Sequence, residues 1–148
     1  MTTPAPWQSG YLLDTTTISE WTTPRPNLGL MEWLHTADEE QLFLSVITIG
    51  EMRRGVERLP DGRRKTRLTE WLADQVVDRF GDRLLEVDLD IVQAWGRVRD
   101  RADALGQPVD PVDGLIAATA DAHGLAVVTR DPGGFVATGV PTICPWSE

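Results

Sequence analysis

The sequence predicts an α/β protein with a central, mainly parallel β-sheet covered by helices on both faces. Short apolar runs of strand length alternate with longer helical patterns along the whole chain, the arrangement expected of successive βαβ units. The 148 residues also show no internal repeat, low-complexity tract or linker that would divide them, so a single domain with a full core is expected.

Residues 1–9, with Pro4 and Pro6, read as a flexible leader, and residues 10–148 as the domain. The strand candidates are Tyr11–Leu13, Leu42–Ser45, Leu84–Val87, Ala126–Thr129 and Thr142–Ile143. Helical patterns run over about Leu28–Ala37, Thr48–Arg58, Gly62–Phe80, Ile91–Leu105 and Val112–His123, with a short helix through Thr17–Glu20.

The composition, 41% hydrophobic and 25% charged, is that of a folded globular chain. Cys144 is the only cysteine, so stability does not depend on an oxidising compartment. No apolar run approaches a membrane span and no signal-peptide pattern opens the chain; a cytoplasmic protein without a membrane partner is expected. The net charge of −9 argues against nucleic acid only superficially, because charge distribution matters more. Lys65 is the only lysine, and about half of the fourteen basic residues fall in "RRGVERLPDGRRKTR". Arg53, Arg54, Arg63, Arg64 and Arg67 are candidates for a phosphate-binding rim, since guanidinium forks grip phosphate in bidentate fashion. A solvated helix–loop–helix face explains the same charges.

In open α/β sheets ligands bind beyond the carboxyl ends of the strands, where strand order reverses. Four carboxylates are expected there. Asp14 follows the first strand directly; Glu51 lies in the first turn of the helix after the second; Asp113 opens the helix "DPVDGLIAATA"; Asp131 comes two residues after "AVVT". Each has a structural explanation. Asp14 can cap the short helix after it, Thr48–Glu51 fits a capping box, and Asp110 with Pro111 starts a helix whose dipole Asp113 complements. Asp131 suits the first position of a turn. Capping does not require the four to converge, however, whereas the parallel topology does.

Converging carboxylates raise one another's pKa unless a counter-charge intervenes. With no lysine nearby and His123 better read as a helix C-terminal residue, the expected counter-charge is a hard divalent cation, Mg2+ or Mn2+. Thr15, Thr16 and Thr129 are placed to orient the carboxylates or the water around such an ion. An acidic metal site rimmed by arginine suggests a phosphate-containing substrate.

The stretches "LLDTTTISE", "ITIGEMRRGVERL", "VDGLIAATA", "VVTRDPGGF" and "GVPTICPW", in that order and spanning about residues 10 to 146, resemble the PIN-domain toxins of bacterial toxin–antitoxin pairs, of the VapC type. The resemblance implies a PIN-like α/β/α sandwich with a central parallel sheet. It also implies an Mg2+-dependent endoribonuclease, able to use Mn2+, that hydrolyses RNA phosphodiesters with a metal-activated water. A homodimer neutralised by a cognate antitoxin is implied as well. Asp14, Glu51, Asp113 and Asp131 match the catalytic and metal-binding acids of the family by position. Two departures stand out. Thr16 replaces an asparagine often found two residues after the first acid, and Gly134 stands where many members carry the fourth acid. An antitoxin could block the acidic pocket with an arginine and pack an apolar segment among the early helices, where Trp21, Met31 and Trp33 lie.

Other classes fit less well. A haloacid-dehalogenase phosphatase requires a second acid at position 16 and a well-placed lysine; a receiver domain requires the same lysine and an adjacent acidic pair. A metal-dependent adhesion module requires a hydroxyl where Ile18 stands. A PIN fold that only binds, without catalysis, remains the principal alternative.

Overall fold

The computed structural model describes residues 10–148; the expected leader, residues 1–9, lies outside them. Five parallel strands, β1 (Tyr11–Leu13), β2 (Leu42–Ser45), β3 (Leu84–Leu85), β4 (Ala126–Val128) and β5 (Thr142–Ile143), form one sheet in the order β3-β2-β1-β4-β5. From β1 the chain builds outward to β3 on one side, then crosses to β4 on the other. The reversal therefore falls between β1 and β4, where Leu12 is in register with Val127 and Leu13 with Val128. The third strand is shorter than expected, ending at Leu85 rather than Val87.

Alternation along the central strands creates two cores. Leu13, Leu44 and Val128 point to one side and pack with Ile18, Leu30, Leu34, Met52, Leu72, Val76 and Phe80. Leu12 and Val127 point to the other and pack with Ile116, Ala117, Ala120 and Phe135. Burial on both faces is why these strands read as short apolar runs instead of alternating sequences. Gly10, at φ 140°, leads into β1, and a Cβ there would lie 2.5 Å from the carbonyl oxygen of Gln41. Glycine is required at that close approach.

The first core is covered by α1 (Thr15–Glu20), α2 (Leu28–Thr36), α3 (Val46–Glu57) and a long helical stretch opening as α4 (Arg63–Trp71). The second is covered by α5 (Leu89–Ala104), α6 (Pro111–His123) and a 3₁₀ segment, Pro132–Thr138. α6 ends at Gly124, in the left-handed conformation with φ 65°, as a helix C-terminus favours.

Two expectations are corrected. α3 begins at Val46, capped by Ser45, whose Oγ accepts from the Ile47 amide at 3.1 Å. The Thr48–Glu51 capping box therefore does not form: Thr48 is buried inside the helix and its hydroxyl has no hydrogen-bond partner. The run Val46-Ile47-Thr48-Ile49 is β-branched and weakly helical in isolation, which disguises the helix start. The expected helix over residues 62–80 is also not uniform, because Leu72–Asp78 widen into π-helical turns.

Candidate active site

Asp14 follows β1 without an intervening loop and is only 4% exposed. As the N-cap of α1 it accepts at Oδ1 from the Thr17 amide (3.0 Å), the Thr17 hydroxyl (3.0 Å) and the Thr16 hydroxyl (2.7 Å). All three bonds go to one oxygen, which leaves Oδ2 for another partner. Thr17 Oγ1 also lies 2.8 Å from the Val128 carbonyl, so its single proton is shared between β1's acid and the end of β4. Thr17 is not among the threonines expected at the site, Thr15, Thr16 and Thr129; the helical i, i+3 relation of an N-cap to its partner is the signal that identifies it.

Asp113 enters from the first turn of α6. Asp110 caps that helix, its Oδ2 accepting from the Val112 and Asp113 amides, both at 3.1 Å. Trp95 of α5 pins the same turn, donating from Nε1 to the Pro111 carbonyl at 3.0 Å. A Cβ on Gly114 would lie 3.1 Å from Trp95 Cδ1, so glycine beside Asp113 keeps the two helices close. Neither Trp95 nor Gly114 was evident from sequence, since the contact joins residues on different helices.

Asp131 follows β4, and its amide donates to Thr129 Oγ1 at 3.0 Å. Thr16 accepts at its hydroxyl from the Arg130 amide at 3.3 Å, tying this turn to α1. The Gly134 backbone passes between two acids: a Cβ there would be 3.4 Å from Asp131 Oδ2 and 3.6 Å from Asp113 Oδ2. Glu51 lies in the second turn of α3, one turn later than expected, and is half-buried.

Asp113 reports the convergence electrically. Burial, reinforced by the negative charges of Asp110, Asp14, Asp131 and Glu51, pushes its pKa up to about 6. Asp110 thus both caps the helix and adds to the acidic field. The donors are all hard oxygens, suited to Mg2+ or Mn2+. Among the described residues no group of three stands close enough to hold one ion as it is.

Of the arginines, Arg53 is engaged by Glu57 at 3.5 Å. Arg54, three residues after Glu51, shares its side of α3, whereas Arg53 is turned away. Arg63, Arg64 and Arg67 are exposed on α4. Lys65 is held by Asp61 at 3.5 Å.

Over the first core, α1, α2 and the π-helical stretch line a groove of about 810 Å3. Trp21, Met31, Leu34, Trp71, Val76 and Phe80 are among its lining residues. Trp33, expected there, instead packs edge-on against Tyr11 with ring centroids 5.0 Å apart. Glu39 and Arg79 stand at the rim in a two-point ion pair of 2.6 and 3.1 Å.

The model of the PIN domain family matches residues 11–140. The chain belongs to the PIN-domain family. It is 39% identical to the toxin FitB of Neisseria gonorrhoeae, over 93% of this chain and 99% of that one. It is also 37% identical to the VapC ribonuclease Y4jK of Sinorhizobium fredii, over 91% of this chain and 96% of that one. Among solved structures, a FitAB complex bound to a DNA fragment superposes with a TM-score of 0.89 at 38% identity, covering 93% of this chain and 96% of that chain. A DNA-bound VapBC from Salmonella typhimurium gives 0.72 at 27%, covering 90% and 96%. The PIN fold expected from the sequence is thereby established, with a sheet that is wholly parallel, and the chain is a VapC-type toxin by kinship. Among the described residues no helix is long and apolar enough to cross a membrane.

Proposed function

We propose that this PIN-domain protein is an Mg2+-dependent endoribonuclease and the toxin of a toxin–antitoxin pair. The observation that carries the reading is the approach of Asp113 and Asp131 on either side of Gly134 at the β1/β4 reversal, where burial and the negative charges of Asp110, Asp14, Asp131 and Glu51 together raise the pKa of Asp113. A field of that sign attracts a divalent cation, and the oxygens of Asp14, Glu51, Asp113 and Asp131 are the donors that would hold it by drawing inward. When bound, such an ion acidifies a water for attack on phosphorus and stabilises charge on the departing oxygen. Thr16 and Thr17 hold the Asp14 carboxylate in one orientation, with Oδ2 directed away from their donors. Thr129 fixes the turn that carries Asp131. Arg54, with Arg63, Arg64 and Arg67 from the neighbouring helix, would grip flanking phosphates of a single-stranded or looped RNA.

The groove lined by Trp21, Met31 and Phe80 suits an apolar segment of an antitoxin, in keeping with the complexed FitB and VapC relatives. A homodimer is the expected assembly.

Calorimetric titration of Mn2+ into antitoxin-free protein, beside Asp14→Asn and Asp113→Asn, tests the chemistry without a guessed substrate. Saturable binding lost in both variants supports it. Equal absence of binding in all three leaves a PIN fold acting only by binding.

A further inference from the structure

We propose that a second, smaller cleft beside the acids seats the nucleobase adjoining the scissile phosphate, and that Gln107 is the residue that reads it. The inference rests on the nuclease reading above and assigns part of its substrate specificity.

The cleft, of about 320 Å3, lies between the loop joining α5 to α6 and the 3₁₀ segment after β4. Gln107, Pro108 and Val109 form one wall; Gly133, Gly134, Val136 and Ala137 form the other. Its volume is at the lower end of the range for small-molecule sites, roughly 300–1,000 Å3. It adjoins the acidic site at Gly134, which lines the cleft and whose Cβ position lies 3.4 Å from Asp131 Oδ2 and 3.6 Å from Asp113 Oδ2. A phosphate over the acids would place an attached nucleoside at this opening.

The lining chemistry selects a base over a phosphate. No charged side chain faces the cleft. Two glycines offer bare backbone against which a flat ring can lie, and Val136, 70% exposed, presents an apolar surface that a base would cover. Gln107 supplies the only polar side chain in the lining. Its backbone is anchored, the amide donating to the Ala102 carbonyl at 3.0 Å after the left-handed turn at Gly106 (φ 70°). Among the described residues its side-chain amide has no hydrogen-bond partner, and the residue is exposed. A primary amide both donates and accepts, the pair of functions that matches the edge of a base.

The test is cleavage of a randomised single-stranded RNA pool in Mn2+, with the cut ends sequenced, by wild type, Gln107→Ala, Ala137→Leu and Asp14→Asn. Wild type is expected to prefer one base beside the cut, and Gln107→Ala to weaken that preference by roughly tenfold or more. Ala137→Leu, which fills the cleft away from the acids, should slow cleavage by a similar factor with unchanged Mn2+ affinity and melting temperature. Identical preference and rate in wild type and both cleft variants overturn the assignment while leaving the nuclease intact. No cleavage by wild type, or equal cleavage by Asp14→Asn, overturns both.

Discussion

The acidic crevice and the apolar groove share α1, which offers Thr16 and Thr17 to one and Ile18 to the other, yet they are built by different rules. In the crevice each acid is placed by its own short stretch of chain, a strand end or the first turns of a helix, and at Asp14, Asp113 and Asp131 hydrogen bonds within three residues fix the carboxylate or the backbone that carries it. The groove draws its walls from α1, α2 and the π-helical stretch, segments distant in sequence that meet through apolar side chains. Local chemistry makes the first; tertiary packing makes the second. A polar site of the first kind can lose function without losing its fold, while an apolar one is part of the core and cannot.

The largest effect that would test this contrast is at Asp14. Asp14→Asn keeps an oxygen to accept from Thr16 and Thr17, so the melting temperature should shift little, while metal-dependent RNA cleavage falls on the order of a thousandfold or more. Unfolding of the variant in a thermal melt would instead make the carboxylate structural. On the groove side, Phe80→Ala removes a buried ring from its floor and should cost about 3–5 kcal/mol in urea denaturation. The molecules that remain folded should bind Mn2+ normally; a parallel loss of metal binding would erase the distinction between the two regions.

Asp113 provides a smaller and oppositely signed effect. Its pKa is raised from 3.8 to about 6, so in that interval the folded protein holds more protons than the unfolded chain. Stability of the metal-free protein therefore declines as pH rises from 4 towards 6, and the penalty is complete above. Asp113→Asn should stabilise the metal-free protein near neutral pH by about 1–2 kcal/mol after allowance for solvent screening, and by almost nothing near the acid end. Denaturation curves at the two pH values would show it, and saturating Mn2+ should reverse the ranking in favour of wild type.

The smallest effect is expected at the groove rim. The Glu39–Arg79 pair is strong in geometry, and the Arg79 guanidinium holds the Glu39 carboxyl below its usual range, but both side chains are about half exposed. A double-mutant cycle with Glu39→Gln and Arg79→Gln should give less than about 1 kcal/mol, declining with salt. Because the folded-state pKa is depressed, that contribution is present above the ordinary value of 4.5 and disappears in acid.

The same division explains what could be read from the sequence. Asp14 and Asp113 were legible because an apolar run stopping at an acid, and Asp-Pro-Val-Asp before an apolar helix, each specify position locally. Glu51 was assigned to the correct helix but the wrong turn, since the β-branched run from Val46 to Ile49 conceals where α3 starts. Thr17 follows from the cap once the helix boundary is known. Trp95, Gly114 and the absence of Trp33 from the groove were not legible, because each depends on which residues of distant segments meet. The widening of the helix at Leu72–Asp78 has no signature in composition.

That widened stretch makes chain length itself a determinant of recognition. Each residue of an ordinary α-helix advances the side chains by about 100° around the axis, and a π-helical turn absorbs an extra residue within an otherwise continuous helix. Deleting one position between Leu72 and Asp78 would return the segment to α-helical turns, leaving Arg79 and Phe80 at the groove while displacing the side chains inside the stretch, Gln75 and Val76 of the groove wall among them. Relatives shorter by a single residue here would present a different mould to their partners with every neighbouring side chain unchanged. An alignment between such relatives belongs with its gap inside the helix, and exchange of antitoxins between them would be governed by that gap.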